Sequence, residues 1–167
     1  GQPVIVENRP GASQTIAAEA VAKAPPDGYT LLIATQSAMV FNPVLRKQLP
    51  YNSQRDFTPI SMLFDTPTYL VVNKALPMRT VADLIAAAKA SPGKLTYASL
   101  GSGSSHHLLA EMFKKQAGVD ILHVPYKGSS NASTDLIAGQ VDMMFEGGAS
   151  SLPHVRAGKL TALATSG

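Results

Sequence analysis

Residues 95–165 read LTYASLGSGSSHHLLAEMFKKQAGVDILHVPYKGSSNASTDLIAGQVDMMFEGGASSLPHVRAGKLTALAT, and the order of patterns in this stretch decides the fold. A short β-type run (95–99) is followed by a loop of small residues (101–105). Leu108, Leu109, Met112, Phe113 and Ala117 then recur at helical spacing up to Gly118. The same alternation repeats: a strand over 121–124, the PYKGSS turn (125–130) into a helix ending at Gly139, a strand over 141–145, a short helix over 150–156, and a last strand from Leu160. Strands that alternate with helices form parallel sheets, and the loops leaving their C-terminal ends gather on one edge. The predicted class is α/β, a parallel-rich sheet flanked by helices.

Working outward, Thr80-Val81-Ala82-Asp83 has the shape of a capping box with Asp in place of Glu, opening a helix that Pro92 and Gly93 close. Residues 68–73 (TYLVVN) read as a strand. Asp65-Thr66-Pro67 break the extended chain before it, and this break marks a passage between domains. Nearer the N-terminus, 4–7, 29–35 and 57–64 are β-rich, 12–24 is Ala-rich, and 38–56 reads as a loop with at most one helical turn. The economical reading of 4–35 is a βαβ unit, which places candidate ligand loops at Asn8 to Gln14 (including Ser13) and at Thr35 to Ser37.

The whole chain has 167 residues, 45% hydrophobic and 15% charged, with 14 basic residues scattered among 11 acids and no cysteine. It is too apolar for a disordered chain, and its dispersed charge excludes a nucleic-acid partner. There is no thiol with which to build a disulfide or a thiolate metal site, and no apolar run approaches the ~20 residues of a membrane span. There is no initiator Met and no signal-peptide pattern, and apolar segments run close to both ends, so we expect a piece cut from a longer protein.

The candidate chemistry lies in the loops. Gly101, Ser102, Gly103, Ser104 and Ser105 sit between a strand and a helix; glycines admit close approach, the first helical amides lack internal acceptors, and serine hydroxyls add donors. Such a loop suits a carboxylate or a phosphate. Tyr126, Lys127, Gly128 and Ser129 repeat the arrangement one βα unit later, and Glu146, after the next strand, falls at the same edge. His106 and His107 occupy the first turn of a helix without metal-ligand spacing, so the expected role there is a neutral hydrogen-bonding group; no metal or other cofactor is expected. The nucleophile elbow, the phosphate-binding P-loop and the dinucleotide fingerprint are all absent, the last failing because position 106 is His where its third glycine belongs. A hydrolase or transferase using Ser104 or Ser105 with His107 stays open, as does the ligand-sensing domain of a regulator.

The ordered motifs Asn8-Arg9-Pro10-Gly11-Ala12, Ala18-Glu19-Ala20-Val21-Ala22-Lys23-Ala24-Pro25-Pro26-Asp27-Gly28-Tyr29-Thr30-Leu31-Leu32, Gly101-x-Gly103-Ser104-x-x-His107-Leu108, His123-Val124-Pro125-Tyr126-Lys127-Gly128, Gly139-Gln140-Val141-Asp142 and Ala157-Gly158-Lys159-Leu160 span nearly the whole chain. Together they resemble the substrate-binding proteins of tripartite tricarboxylate transporters, the Bug-type proteins. The resemblance implies a periplasmic two-lobe fold of the type II periplasmic-binding-protein kind, with no catalysis and no cofactor. Its lobes close on a small organic anion such as a di- or tricarboxylate and deliver it to a membrane permease.

Mapped here, residues 1–66 form an incomplete lobe one, 67–160 an inserted lobe two, and 161–167 a hinge strand returning to lobe one. Ligand contacts carry over to Ser102–Ser105, His107, Tyr126, Lys127, Gly128, Ser129 and Glu146, with Ser37 facing them. Ser13 and Gln14 stand where the family usually has glycines, which alters the rim of lobe one. The family's N-terminal strand and loop and its C-terminal segment have no counterpart here. Weak ligand binding and self-association through 1–66 are the expected consequences.

Overall fold

Leu70 and Val72 on one side of an extended segment, and Val71 on the other, are all almost fully buried, and this double burial identifies the middle of a sheet. The computed structural model describes residues 1–65 and 67–166. The chain forms two units, Gly1–Pro59 and a second that begins at Ile60.

The second unit carries a five-stranded sheet. In chain order it contains β1 (Thr68–Asn73), α3 (Val81–Ala90), β2 (Thr96–Ser99), α4 (Ser105–Ala117), β3 (Leu122–Pro125), α5 (Ser129–Ala138), β4 (Met143–Gly147), α6 (Gly148–Arg156) and β5 (Leu160–Thr165), the labels α1 and α2 belonging to the first unit. The spatial order is β3-β2-β4-β1-β5. β2 pairs parallel with β3 and β4, as the alternating pattern predicts. The sheet is nevertheless mixed. β1 lies between β4 and β5 and is antiparallel to both, with Tyr69 opposite Glu146 and Val72 opposite both Met143 and Thr161. Nothing local in TYLVVN encodes this direction, because a strand buried on both faces reads the same either way.

Period-two alternation assigns the two faces. Leu70, Val72, Tyr97 and Met143 join Leu84, Ala88 and Ala110 of α3 and α4 in one core. Val71, Ala98 and Met144 join Ala132 and Leu136 of α5 in the other. Each such Leu, Val or Met contributes about 1.5–3 kcal/mol by leaving water. α3 is held at its start by the anticipated box: Thr80 Oγ1 accepts the Asp83 amide at 3.1 Å and Asp83 Oδ2 accepts the Thr80 amide at 2.9 Å. The amide of Arg79, the Thr80 hydroxyl and the Thr80 amide hold the Asp83 carboxyl below its usual range. At the start of the parallel strands, the Thr96 amide and hydroxyl both donate to Asp142 Oδ2, at 2.7 and 2.8 Å, and lock β2 to β4.

The first unit departs from expectation. It contains a 3-10 turn (Ala12–Gln14), α1 (Thr15–Ala22), a π-type turn (Ser37–Phe41) and α2 (Asn42–Leu45), with no strand among the described residues. The strands predicted over 4–7, 29–35 and 57–64, and with them the βαβ unit, do not form. Residues 37–45 are helical where a loop with at most one turn was expected. A β-rich segment becomes a strand only when a neighbour completes its ladder, and here Val4, Ile5, Val6, Tyr29 and Leu31 stay exposed. Over residues 33–35 a side chain substitutes for that neighbour: Gln14 Nε2 donates to the Ile33 carbonyl at 2.7 Å, and its Oε1 accepts the Thr35 amide at 2.9 Å. The small core of this unit is Ala18, Ala38 and Tyr51, whose hydroxyl donates to the Ala38 carbonyl at 2.6 Å. The expected passage at 65–67 includes Thr66, and the expected return strand 161–167 includes Gly167; both residues lie outside the described set.

Candidate functional site

α4, α5 and α6 all start at the C-terminal ends of β2, β3 and β4, so three helix N-termini share one edge of the sheet. Each N-terminus presents amides without intrahelical acceptors and the positive end of a dipole.

The first loop turns tightly, with Gly101 at φ 103° and Gly103 at φ 82°, a region that favours glycine, and the Ser104 amide donates back to the Gly101 carbonyl at 3.1 Å. Ser104 is buried, and its Oγ accepts the His107 amide at 3.3 Å, capping α4. Ser102 is exposed at the tip. His107 turns back onto its own loop, its Nδ1 accepting the Gly103 amide at 3.3 Å. Its ring lies 4.5 Å from that of His123, which stacks on Tyr97 at 4.8 Å.

The second loop is fastened to β2 by the Tyr126 amide, which donates to the Ser99 carbonyl at 2.8 Å. The Tyr126 hydroxyl donates to Asp135 Oδ2 at 2.8 Å; burial, then this bond and the Asp135 charge, push its pKa up to about 12. Lys127 is exposed, and Gly128 caps α5 without a side-chain bond.

Glu146 gathers all three helix starts. It is buried, its Oε2 accepts the Ser129 hydroxyl at 2.8 Å, and its Oε1 accepts the Gly147 amide at 2.8 Å. His106 Nε2 stands 3.6 Å from the same Oε1. Burial alone would raise the pKa of this carboxyl, but the hydrogen bond and charge of His106, with Ser129 and the Gly147 amide, outweigh it and hold Glu146 below the usual carboxylate value. α5 and α6, whose N-caps lack side-chain bonds, thus share one buried anion at their starts. Beside them is an open cleft of about 390 Å³ bordered by Ser129, Ser130, Ser133, Thr134, Ser150 and His154.

The structure therefore brings Ser129 and Glu146 together and adds His106, which sequence reasoning left out of the site. Their meeting depends on β2 and β4 being neighbours, a long-range fact with no local signal. Ser13, Gln14 and Ser37 belong to the first unit. There the Ser13 carbonyl accepts Asn42 Nδ2 at 2.9 Å, Gln14 is tied to residues 33–35, and Ser37 is buried. Ala12, Ser13 and Gln14 all have positive φ, 50°, 53° and 69°, conformations in which glycine is unstrained. Among the described residues no group of three His, Asp or Glu side chains is placed to hold a metal ion.

Comparison with known proteins agrees with this architecture. A family profile described as the tripartite tricarboxylate transporter family receptor matches residues 1–167. BugT of Bordetella pertussis is 42% identical over 165 residues, covering 98% of this chain and 51% of its own length. The solved structure of a periplasmic transporter is 44% identical with a TM-score of 0.95, covering 98% of this chain and 55% of that one. R. palustris Rpa4515 with adipate is 40% identical with a TM-score of 0.93, covering 96% and 54%. MatC from Rhodopseudomonas palustris with bound malate is 30% identical with a TM-score of 0.86, covering 94% and 53%. The chain spans about half the length of these relatives. Its fold class is that of the periplasmic binding proteins. By the profile match over its full length, the chain belongs to the tripartite tricarboxylate transporter receptor family.

Proposed function

We propose that this chain is part of a periplasmic solute-binding protein that captures a small organic carboxylate and delivers it to the membrane permease of a tripartite tricarboxylate transporter, with no covalent chemistry. The observation that carries this reading is the convergence of the α4, α5 and α6 N-termini on one sheet edge, which already holds one carboxylate, that of Glu146, and offers the amides of the α4 loop to another. In the second unit the ligand contacts are the 102–105 loop and the 126–129 loop, with His107 held behind the first loop and Glu146 at the helix starts. Relatives with adipate and with malate support the ligand class. The domain boundaries inferred from the resemblance, 1–66, 67–160 and 161–167, belong to the same proposal.

The Ser104 hydroxyl caps α4 and the His107 Nδ1 is occupied by the Gly103 amide, a geometry that supports binding over nucleophilic attack. The test is calorimetry and thermal shift on the full-length protein, with adipate and malate against the matching neutral diamides. Saturable heat and a raised melting temperature with a dicarboxylate alone are expected. No response to any carboxylate, or turnover of an ester that disappears in Ser104→Ala, would overturn the reading.

A further inference from the structure

Two neighbouring imidazoles, tilted 44° to each other, hold the two glycines of the first loop. Gly103 donates its amide to His107 Nδ1 at 3.3 Å, which requires a lone pair on that nitrogen and places the ring proton on Nε2. Gly101 donates its amide to Ser99 Oγ at 3.1 Å, and the same fully buried hydroxyl meets His123 Nε2 at 2.6 Å. We infer that His107 and His123 are positioning residues, which set the 101–103 loop for anion binding through uncharged rings and do not themselves grip the anion. The inference rests on the carboxylate-binding reading for the identity of the ligand.

The groups that face the pair are few. From β2, Tyr97 stacks on His123, 18° from coplanar, and its hydroxyl donates to Glu111 Oε1 at 2.7 Å. From α4, Lys114 also donates to Glu111 at 2.8 Å and lies 5.5 Å over the Tyr97 ring, while His106 faces Glu146. Burial is the largest influence on His123 and lowers its pKa. A proton added to His107 at Nδ1 would point at the Gly103 N–H, donor against donor, and would sit beside the His123 ring. The loop contact then breaks.

The sign of the effect separates positioning from direct contact. A histidine that touched the anion would bind it more tightly once charged. A positioning histidine loses its loop, so affinity falls as pH falls, against the direction of simple charge attraction.

Adipate serves as the probe, measured by calorimetry on the full-length protein at pH 8 and pH 6, a range in which it stays mostly a dianion. Wild-type affinity is expected to be lower at pH 6 than at pH 8. His107→Asn places an Oδ1 acceptor where Nδ1 was and does not titrate, so it should keep the pH 8 affinity within about threefold and lose the pH dependence. His107→Leu, without an acceptor, should bind at least tenfold more weakly at pH 8. Tighter wild-type binding at pH 6, or undiminished binding by His107→Leu, would overturn the inference. A second readout needs no ligand: the Gly103 amide ¹H–¹⁵N resonance should follow the His107 titration in the wild type and stay flat in His107→Asn. If adipate fails to bind at any pH the carboxylate reading fails, and the Gly103 resonance alone decides the positioning role; a Gly103 signal indifferent to His107 protonation would defeat it.

Discussion

The Ser129 hydroxyl reaches Glu146 Oε2 at 2.8 Å, joining the first turn of α5 to the end of β4. With the Gly147 amide and His106 on the other oxygen, the carboxylate does for two uncapped helices what a separate side-chain cap does for each of most helices. Its charge is therefore structural as well as local to the anion edge.

Replacing that charge should show a distinct pH signature. Glu146 has a lowered folded pKa, so its stabilisation is present above the unfolded value, ordinarily 4.5, and is lost as pH falls through the folded one. Glu146→Gln should cost about 1–3 kcal/mol at pH 7. The gap to wild type should close toward pH 3, and urea unfolding at both pH values measures it. An equal gap at pH 3 would remove the charge from the explanation.

Gln14→Ala should loosen residues 33–35 without disturbing the second unit's core. Losing the bond to the Thr35 amide costs about 1 kcal/mol, or roughly fivefold faster exchange of that amide with solvent. Unchanged Thr35 protection would show that another group orders the segment.

These two sites show what sequence reading reaches. Repeating βα units, the capping box at Thr80 and the glycine-serine loops are local patterns, and the structure keeps them. The antiparallel direction of β1 and the meeting of His106 with Glu146 arise from strand order, which is set by pairing between segments distant in the chain. The strands expected over 4–7 and 29–35 failed for a related reason. Their composition fits a strand, but a strand is a property of a pair.

Gly148 marks a close approach. A Cβ built there would lie 2.9 Å from Tyr69 Cε2 and 3.4 Å from Leu152 Cδ1, so Gly148→Ala must displace the tyrosine ring at the start of α6. The expected cost is about 1–3 kcal/mol. Adding Tyr69→Ala should recover part of the Gly148→Ala penalty, a coupling that a double-mutant cycle reads directly. Strict additivity would place the strain elsewhere.

Leu84 is fully buried between α3 and the sheet, whereas Leu122 on the edge strand β3 is 51% exposed. Leu84→Ala should therefore cost about 2–5 kcal/mol and Leu122→Ala well under half as much. Chemical denaturation of both variants tests the ranking, and similar losses would contradict the assigned core.

The placement of β1 beside β5 also closes a circuit. The Thr68 amide donates to Ser166 Oγ at 2.9 Å and the Ser166 amide donates to the Thr68 carbonyl at 2.8 Å, so the segment 68–166 enters and leaves at one stitch. A module whose two ends lie about 5 Å apart, one strand spacing, can be spliced into a surface turn of an unrelated host. It can also have those ends fused and new ones opened elsewhere, with little demand on the linker.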